Sequence, residues 1–143
     1  MIRVVVQREP IDVVALMEAG AGAGAVATFT GLVRADDGVT TLELEHYPGM
    51  TEAALERLAG EAAARWSLLS ATIVHRVGPM APGDRVVFVA TTARHRAAAL
   101  EACASLIDRL KTDAPFWKRE VTVDGVRWVD PRPSDDAAAE RWG

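Results

Sequence analysis

The chain has one cysteine, three histidines and no long apolar run, and each shortage excludes a class of protein. Cys103 has no partner for an internal disulfide, and three histidines supply a structural zinc site poorly. No apolar run approaches the ~18 residues of a membrane span, and the start MIRVVVQREP lacks a signal peptide's apolar segment. The net charge of −4 disfavours non-specific binding to nucleic acid or anionic membranes. We therefore expect a cytoplasmic protein with no nucleic-acid or membrane partner.

Lysine is also scarce. Of the 16 basic residues only Lys111 and Lys118 are lysine, and both lie within the run KTDAPFWK. Arginine keeps its charge at all accessible pH, whereas lysine can release a proton and act as a base or nucleophile. The pattern has two interpretations: these positions require an amine, or they are two ordinary surface lysines.

The 143 residues, half of them hydrophobic, suit one domain over residues 1–143 with a polar tail from about residue 130. Helical periodicity predicts helices at Pro10–Ala19, Thr51–Trp66 and Arg94–Lys111. Alternation and β-branched runs predict seven strands: Ile2–Val6, Ala25–Val33, Thr40–His46, Thr72–Val77, Arg85–Thr91, Phe116–Val123 and Val126–Val129. The order βαββαββαββ, which mixes hairpins with helical connections, predicts the α+β class.

Several local features refine this prediction. Thr51 is expected to cap the second helix, and the run PMAPGD (79–84) is expected to be the turn of a hairpin. Gly31 is a candidate β-bulge. The third helix is expected to bury an apolar stripe in which the cysteine only packs: Leu100, Cys103, Ile107 and Leu110.

The third helix opens with Arg94, His95 and Arg96. Cations are disfavoured at a helix N-terminus, whose free N–H groups suit anions instead. We favour a site where a phosphate or carboxylate joins these cations, over a solvated basic turn.

Other candidate residues are weaker when taken singly. Arg34 ends a strand where it could reach a ligand, and Arg132, stiffened by flanking prolines, could contact an anion. His75 and Arg76 lie in a strand and are interpreted as structural. The pair Phe116-Trp117 could line a pocket for a flat heterocycle, but the core is favoured for both.

Lys111 lies near the end of the helix that His95 and Arg96 begin. Fifteen residues of helix span about 23 Å, so one small ligand cannot touch both ends within one chain. If both groups serve one site, a symmetric dimer is the simplest arrangement.

The runs TFTGLVR (28–34), LEHYPGMTEAAL (44–55), HRVG (75–78) and above all LKTDAPFWKRE (110–120) strongly resemble the large, catalytic subunit of molybdopterin synthase. The resemblance covers about residues 24–142. It implies an α/β hammerhead-type fold with an additional antiparallel β subdomain. It also implies a central homodimer within a heterotetramer, with a small ubiquitin-like sulfur-carrier subunit at each end.

The implied reaction converts cyclic pyranopterin monophosphate to molybdopterin by adding two sulfurs as a dithiolene. The sulfur comes from a thiocarboxylate on the C-terminal glycine of the carrier, so the chain itself needs no cofactor, metal or reactive cysteine. The resemblance implies that Lys111 lies beside the thiocarboxylate, as acid/base or as electrostatic support, and that Lys118 assists. The implied substrate contacts are Leu32, Val33, Arg34, His95, Arg96, Lys111, Lys118, Arg119 and Glu120. Some family members have lysine at the position of Leu32, so only a backbone contact is expected there.

Two other functions would use the same residues. A regulatory module that senses a phosphorylated heterocycle would bind its ligand unaltered and tolerate arginine at position 111. A scaffold that only holds the carrier is disfavoured by the intact Lys111, Lys118, His95 and Arg96.

Overall fold

In the computed structural model, residues 1–17, 22–35, 38–128 and 142 are described, and they form strands and helices in mixed order. The helices are α1 (Val13–Met17), α2 (Met50–Trp66) and α3 (Arg96–Asp113). The strands are β1 (Ile2–Gln7), β2 (Ala25–Leu32), β3 (Val39–His46), β4 (Ser70–Arg76), β5 (Gly78–Met80), β6 (Arg85–Ala93), β7 (Phe116–Thr122) and β8 (Gly125–Trp128). The predicted α+β class is confirmed. None of the helices in these residues is long and apolar enough to cross a membrane.

The first sheet has the order β1-β4-β6-β2 and carries the main core on one face. Strands β1 and β4 are parallel, and the other pairs are antiparallel. Helices α2 and α3 cover one face, where Leu55, Ile73, Val89 and Leu106 are almost fully buried. On the opposite face a smaller cluster of buried residues forms beside α1: Ile11, Val74, Phe88 and Ala90.

The second sheet has the order β5-β3-β7-β8 and is antiparallel throughout. Its inner face supplies Leu42, Leu44 and Met80 to a third cluster of buried residues. The fourth member is Val33, which directly follows β2, an edge strand of the first sheet. Phe116, the first residue of β7, packs against both this cluster and the main core. The two sheets therefore meet around Val33 and Phe116.

The start of α2 differs from the prediction. The helix begins at Met50 after Gly49, whose φ of 85° lies in the left-handed region that favours glycine. Thr51 is therefore inside the helix, fully buried, and the prediction that it caps the helix was wrong. Its hydroxyl donates to the Pro115 carbonyl at 2.7 Å and accepts from the Tyr47 amide at 2.9 Å. Thr51 thus links α2 to two other segments, the turn after β3 through Tyr47 and the residue before β7 through Pro115.

The buried stripe of α3 also differs from the prediction. Leu100 is 60% exposed, because the helix turns Ala99, Cys103, Leu106 and Leu110 toward the sheet instead. The interpretation of Cys103 as a packing residue is confirmed: it is buried, and burial raises the pKa of its thiol to about 11.

The predicted hairpin between β4 and β6 is confirmed as an antiparallel pair, but the turn assigned to residues 79–84 was wrong in part. Gly78–Met80 forms strand β5, which pairs with Leu42–Leu44 of β3, and only residues 82–83 form the turn. The predicted bulge at Gly31 is confirmed by a register shift between Gly31 and Leu32.

The first helix is shorter than predicted within the described residues. It covers Val13–Met17, and the Asp12 side chain accepts from the Ala15 amide at 3.1 Å, so Asp12 rather than Pro10 begins it. Residues 18–21 lie outside the described part. So do Arg132 and the polar tail from about residue 130 up to residue 141, whose predictions stay predictions.

Candidate active site

Two groups of residues that include cations lie at opposite ends of α3. Arg96 begins the helix and Lys111 lies fifteen residues further on, which at 1.5 Å per residue is about 23 Å. The length of strand β6, which runs beside α3, gives a similar distance between the two ends. Val87 lies opposite His75 near the Lys111 end, and Ala93 precedes the helix start six residues later, about 20 Å along the strand.

The first group is the arginine–histidine cluster, consisting of Arg94, His95 and Arg96. All three side chains are exposed, His95 is the N-cap in extended conformation, and the first turn contains no acidic residue. The chain before β2 holds this turn closely: the Gly24 amide donates to the Ala93 carbonyl at 3.1 Å. A Cβ on Gly24 would lie 2.0 Å from the Arg94 carbonyl oxygen, so only glycine fits there. Backbone N–H groups and uncompensated cations together suit an anion.

The second group is called the lysine cluster and is defined as His75, Lys111, Phe116 and Lys118; among them the structure shows a contact between His75 and Phe116. His75 lies near the end of β4 on the face that the helices cover, in the same alternation as Ile73. Its imidazole stacks on the Phe116 ring with 4.1 Å between centroids and 27° between planes. Its Nδ1 lies 3.0 Å from the Arg76 carbonyl oxygen. Because a carbonyl only accepts, Nδ1 carries the hydrogen in this pair.

The imidazole of His75 is uncharged at neutral pH. Its pKa is lowered to about 4, chiefly by burial; the hydrogen bond to the Arg76 carbonyl opposes this lowering, and the electrostatic influence of Lys111 and His46 adds to it. The Lys111 side chain itself is exposed. Within residues 1–17, 22–35, 38–128 and 142, no ion pair joins Lys111 to a carboxylate.

Strand β7 divides the predicted contacts between two faces. Lys118 lies opposite Leu44 and Glu120 opposite Leu42, so both share the inner face with Phe116. Arg119 lies on the outer face, where it forms an ion pair with Glu43.

The outer face of this strand also contains Trp117. Its ring lies 5.1 Å from that of Trp128, whose side chain is exposed. The core interpretation is therefore confirmed for Phe116 and was wrong for Trp117, because the two residues point to opposite faces of a strand with only one core beneath it.

The segment Leu32–Arg34 lies at the Lys111 end of the first sheet. The Val33 amide donates to the Asp84 carbonyl at 2.9 Å, and its carbonyl accepts from the Gly83 amide at 2.8 Å. The Val33 side chain is buried in the cluster that contains Leu44, whereas Leu32 is 54% exposed. The structure thus places Arg34 near the lysine cluster and leaves the arginine–histidine cluster at the far end of the helix.

Sequence reasoning missed the two histidines of this region. His75 was interpreted as structural, although its HRVG motif contributed to the family resemblance. His46 lies opposite Phe116 in the β3–β7 pair, with its Nε2 3.6 Å from the Glu52 carboxylate and its Nδ1 buried without a partner in the described structure. The only signal in the sequence was that histidines are few. The structure shows that His75 stacks on Phe116 and that His46 is paired with Phe116 across the sheet. The described residues include no group of three His, Cys, Asp or Glu side chains that could hold a metal ion.

An α+β chain with one exposed cationic cluster and a second that includes two lysines has the features expected of a protein that binds small anions. Comparison with known families makes this specific. The model of the MoaE protein family matches residues 6–113, and the chain belongs to that family.

Curated relatives and solved structures agree with this assignment. The chain is 56% identical over 122 residues to the molybdopterin synthase catalytic subunit of Yersinia pestis, covering 83% of this chain and 81% of that one. The Burkholderia ambifaria molybdopterin biosynthesis MoaE protein superimposes with a TM-score of 0.86 at 50% identity, covering 100% of this chain and 99% of that one. A Helicobacter pylori complex of subunits 1 and 2 of molybdopterin-converting factor shares the fold, with a TM-score of 0.75 at 20% identity and coverage of 92% and 91%. The family resemblance, the hammerhead-type fold with its antiparallel subdomain, and the expectation of an enzyme subunit in molybdopterin biosynthesis are confirmed.

Proposed function

We propose that this chain is the sulfur-transferring subunit that converts cyclic pyranopterin monophosphate to molybdopterin, with sulfur supplied by the thiocarboxylated C-terminus of a small ubiquitin-like carrier. Membership of the MoaE family supports the reaction. The Helicobacter pylori complex of two subunits supports a partner of this kind. The reaction takes place in the cytoplasm, where a lone buried Cys103 stays reduced.

The observation that carries the proposal is the separation of the two cationic clusters by about 23 Å along α3. A cyclic phosphate and a pterin ring are much shorter than this distance, so one chain cannot hold both ends of the substrate with both clusters. In a homodimer, His95 and Arg96 of one protomer hold the phosphate while the lysine cluster of the other faces the carbons that receive sulfur. Each active site is then shared between two chains.

Placement and charge support the following individual roles. Lys111 lies beside the incoming thiocarboxylate and acts as acid/base or as electrostatic support for the acyl intermediate, and Lys118 assists from the inner face of β7. Arg34 orients the substrate, with Leu32 and Val33 offering backbone contacts. Glu120 accepts from Arg127 at 2.7 Å and borders the cluster on β7. Arg119 acts from the other face, through its ion pair with Glu43, and Arg132 remains a possible anion contact.

The test is the substitution Lys111→Arg, which keeps the positive charge and replaces an amine that can release its proton with a guanidinium that does not. We expect product formation to fall by about a hundredfold, the usual size of a lost acid–base group, with the fold and the carrier complex retained. The measurement is dithiolene formation from thiocarboxylated carrier and pterin precursor. Arg57→Lys, an exposed exchange on α2, is the matched control and should leave the rate unchanged.

Near-normal turnover by Lys111→Arg would contradict the role given to this amine. Tight binding of an unaltered precursor by the wild-type chain, with no product in the presence of carrier, would instead support a regulatory binding module.

A further inference from the structure

Trp142, in the tail, is held against the two long helices. Its indole N–H donates to the Asp108 carboxylate of α3 at 2.6 Å, and its backbone carbonyl accepts from the Arg65 guanidinium of α2 at 2.7 Å. Its ring meets that of Trp66, also on α2, edge to face, with 5.8 Å between centroids and 73° between planes. The side chain is half-buried, so Trp142 occupies a defined place on two helices.

The partners of Trp142 are themselves fixed by the fold. The Trp66 ring packs against the main core, and its own N–H donates to the Glu101 carboxylate at 3.0 Å. Glu101 and Asp108 are two turns apart on α3, so they lie on the same face, separated by about 10 Å along the helix axis. Each of these carboxylates therefore accepts the N–H of one indole.

Arg65 completes the contacts. Its guanidinium lies 4.6 Å from the centroid of the Trp66 ring and 5.9 Å from that of Trp142, within cation–π range of both. The same group donates to the Trp142 carbonyl, so the ring and the main chain are bound together. A phenylalanine would reproduce the ring contacts but has no N–H for Asp108 to accept. The geometry thus selects tryptophan.

We propose that Arg65, Trp66 and Asp108 form a tryptophan-binding site on α2 and α3, and that its occupant is the tail of the same chain, inserted at Trp142. The site holds the tail at a point well separated in sequence from Trp128, the last residue of β8. None of its residues belongs to either cluster of α3. The site is independent of the proposed function, and binding alone tests it.

The first measurement is the exchange of indole N–H hydrogens with water. The chain has four tryptophans, so a protein labelled with 15N in the indole gives four NMR signals, each assigned by one Trp→Phe variant. The signals of Trp66 and Trp142 should exchange about tenfold more slowly than that of the exposed Trp128, because both are hydrogen-bonded. Asp108→Ala should remove the protection of Trp142. Its matched control is Glu101→Ala, which should remove that of Trp66 instead.

The second measurement is the binding of an unattached tail. The probe is the peptide AAAERWG, which has the sequence of residues 137–143. The peptide should shift the Trp66 signal of the Trp142→Ala chain saturably, with a Kd of about 1 mM. The same peptide with phenylalanine in place of tryptophan should bind about tenfold more weakly, because it lacks the hydrogen bond to a carboxylate. The wild-type chain should also bind AAAERWG about tenfold more weakly, since its own tail competes at a millimolar effective concentration.

Two results of the peptide experiment overturn the proposal. Equal binding by the wild-type and Trp142→Ala chains would show that the tail does not occupy the site. No saturable binding to Trp142→Ala at several millimolar peptide would show that the site does not exist. If Trp142→Ala does not fold, the exchange rates provide the test: a Trp142 N–H that exchanges as fast in the wild type as in Asp108→Ala also overturns it.

A tail that docks on a second copy of the chain is distinguished by mixing. Labelled Trp142→Ala chains, mixed with an excess of unlabelled wild type under conditions in which subunits exchange, should keep the Trp66 signal of the variant alone. A Trp66 signal that returns to its wild-type position would place the tail on the partner chain and overturn the assignment to the same chain.

Discussion

The two ends of α3 differ in what holds their candidate site residues in place. At the start, Arg94, His95 and Arg96 are exposed, and their arrangement comes from the backbone: a strand that ends, an extended N-cap and a helix whose first amides are free. At the other end Lys111 is also exposed, but tertiary packing brings together two rings from different strands there, His75 of β4 and Phe116 of β7. An exposed cluster suits a phosphate that arrives from solvent. A packed imidazole such as His75 is a group whose protonation depends on its surroundings.

The strongest test of whether the two ends work together across a dimer is to remove the cation at one end of α3 in one chain and the cation at the other end in a second chain. Arg96→Ala and Lys111→Ala should each be nearly inactive alone, because every site of either homodimer lacks one cluster. When the two are coexpressed in equal amounts with the carrier, half of the dimers are mixed, and each mixed dimer contains one intact site. Activity should therefore recover to about a quarter of the wild-type value.

The control is coexpression of Arg96→Ala with an Arg96→Ala, Lys111→Ala double variant, which cannot assemble an intact site. Absence of recovery in the first mixture, with mixed dimers shown to form, would mean that both clusters act within one chain.

The second prediction concerns His75, whose imidazole lies at the other end of α3. The pKa of His75 is about 4 in the folded protein and 6.5 in the unfolded chain, so the unfolded state takes up its proton first as the pH falls. Between pH 6.5 and 4 the unfolded state binds more protons, and the free energy of unfolding falls as the pH is lowered. From pH 7.5 to pH 5 this group alone should cost roughly 2 kcal/mol.

The measurement is urea unfolding at both pH values, comparing the wild type with His75→Gln. Between these two pH values the free energy of unfolding of His75→Gln should fall by roughly 2 kcal/mol less than that of the wild type. Val87→Ala should lose as much as the wild type does, since it keeps the imidazole. Equal losses in the wild type and His75→Gln would place the acid-sensitive group elsewhere.

The same contrast explains what the sequence could and could not predict. The elements and the cationic start of α3 follow from local patterns, so periodicity predicted them. Leu100 fits a helical stripe as well as Ala99 does, and only the packed sheet decides which of them is buried. Thr51 resembles an N-cap, but a left-handed Gly49 lets the helix begin earlier and turns the hydroxyl inward to Pro115. No local rule connects His75 with Phe116, 41 positions later, because their contact exists only where the two sheets meet.

The smallest predicted effect is on stability: removing the cation at the two ends of α3 should change the free energy of unfolding in opposite directions. The helix dipole opposes a cation at the start of α3 and favours one in its last turn. At low salt, Arg96→Gln should raise the free energy of unfolding by about 0.3–1 kcal/mol, and Lys111→Gln should lower it by a similar amount. Urea unfolding checks both, and both differences should shrink at about 1 M salt, where the Debye length falls to about 3 Å. Changes of the same sign would show that local contacts outweigh the backbone dipole at one end. With opposite signs, Arg96→Gln would be more stable yet less active, as expected if the arginine is retained at the helix start for the phosphate and not for the fold.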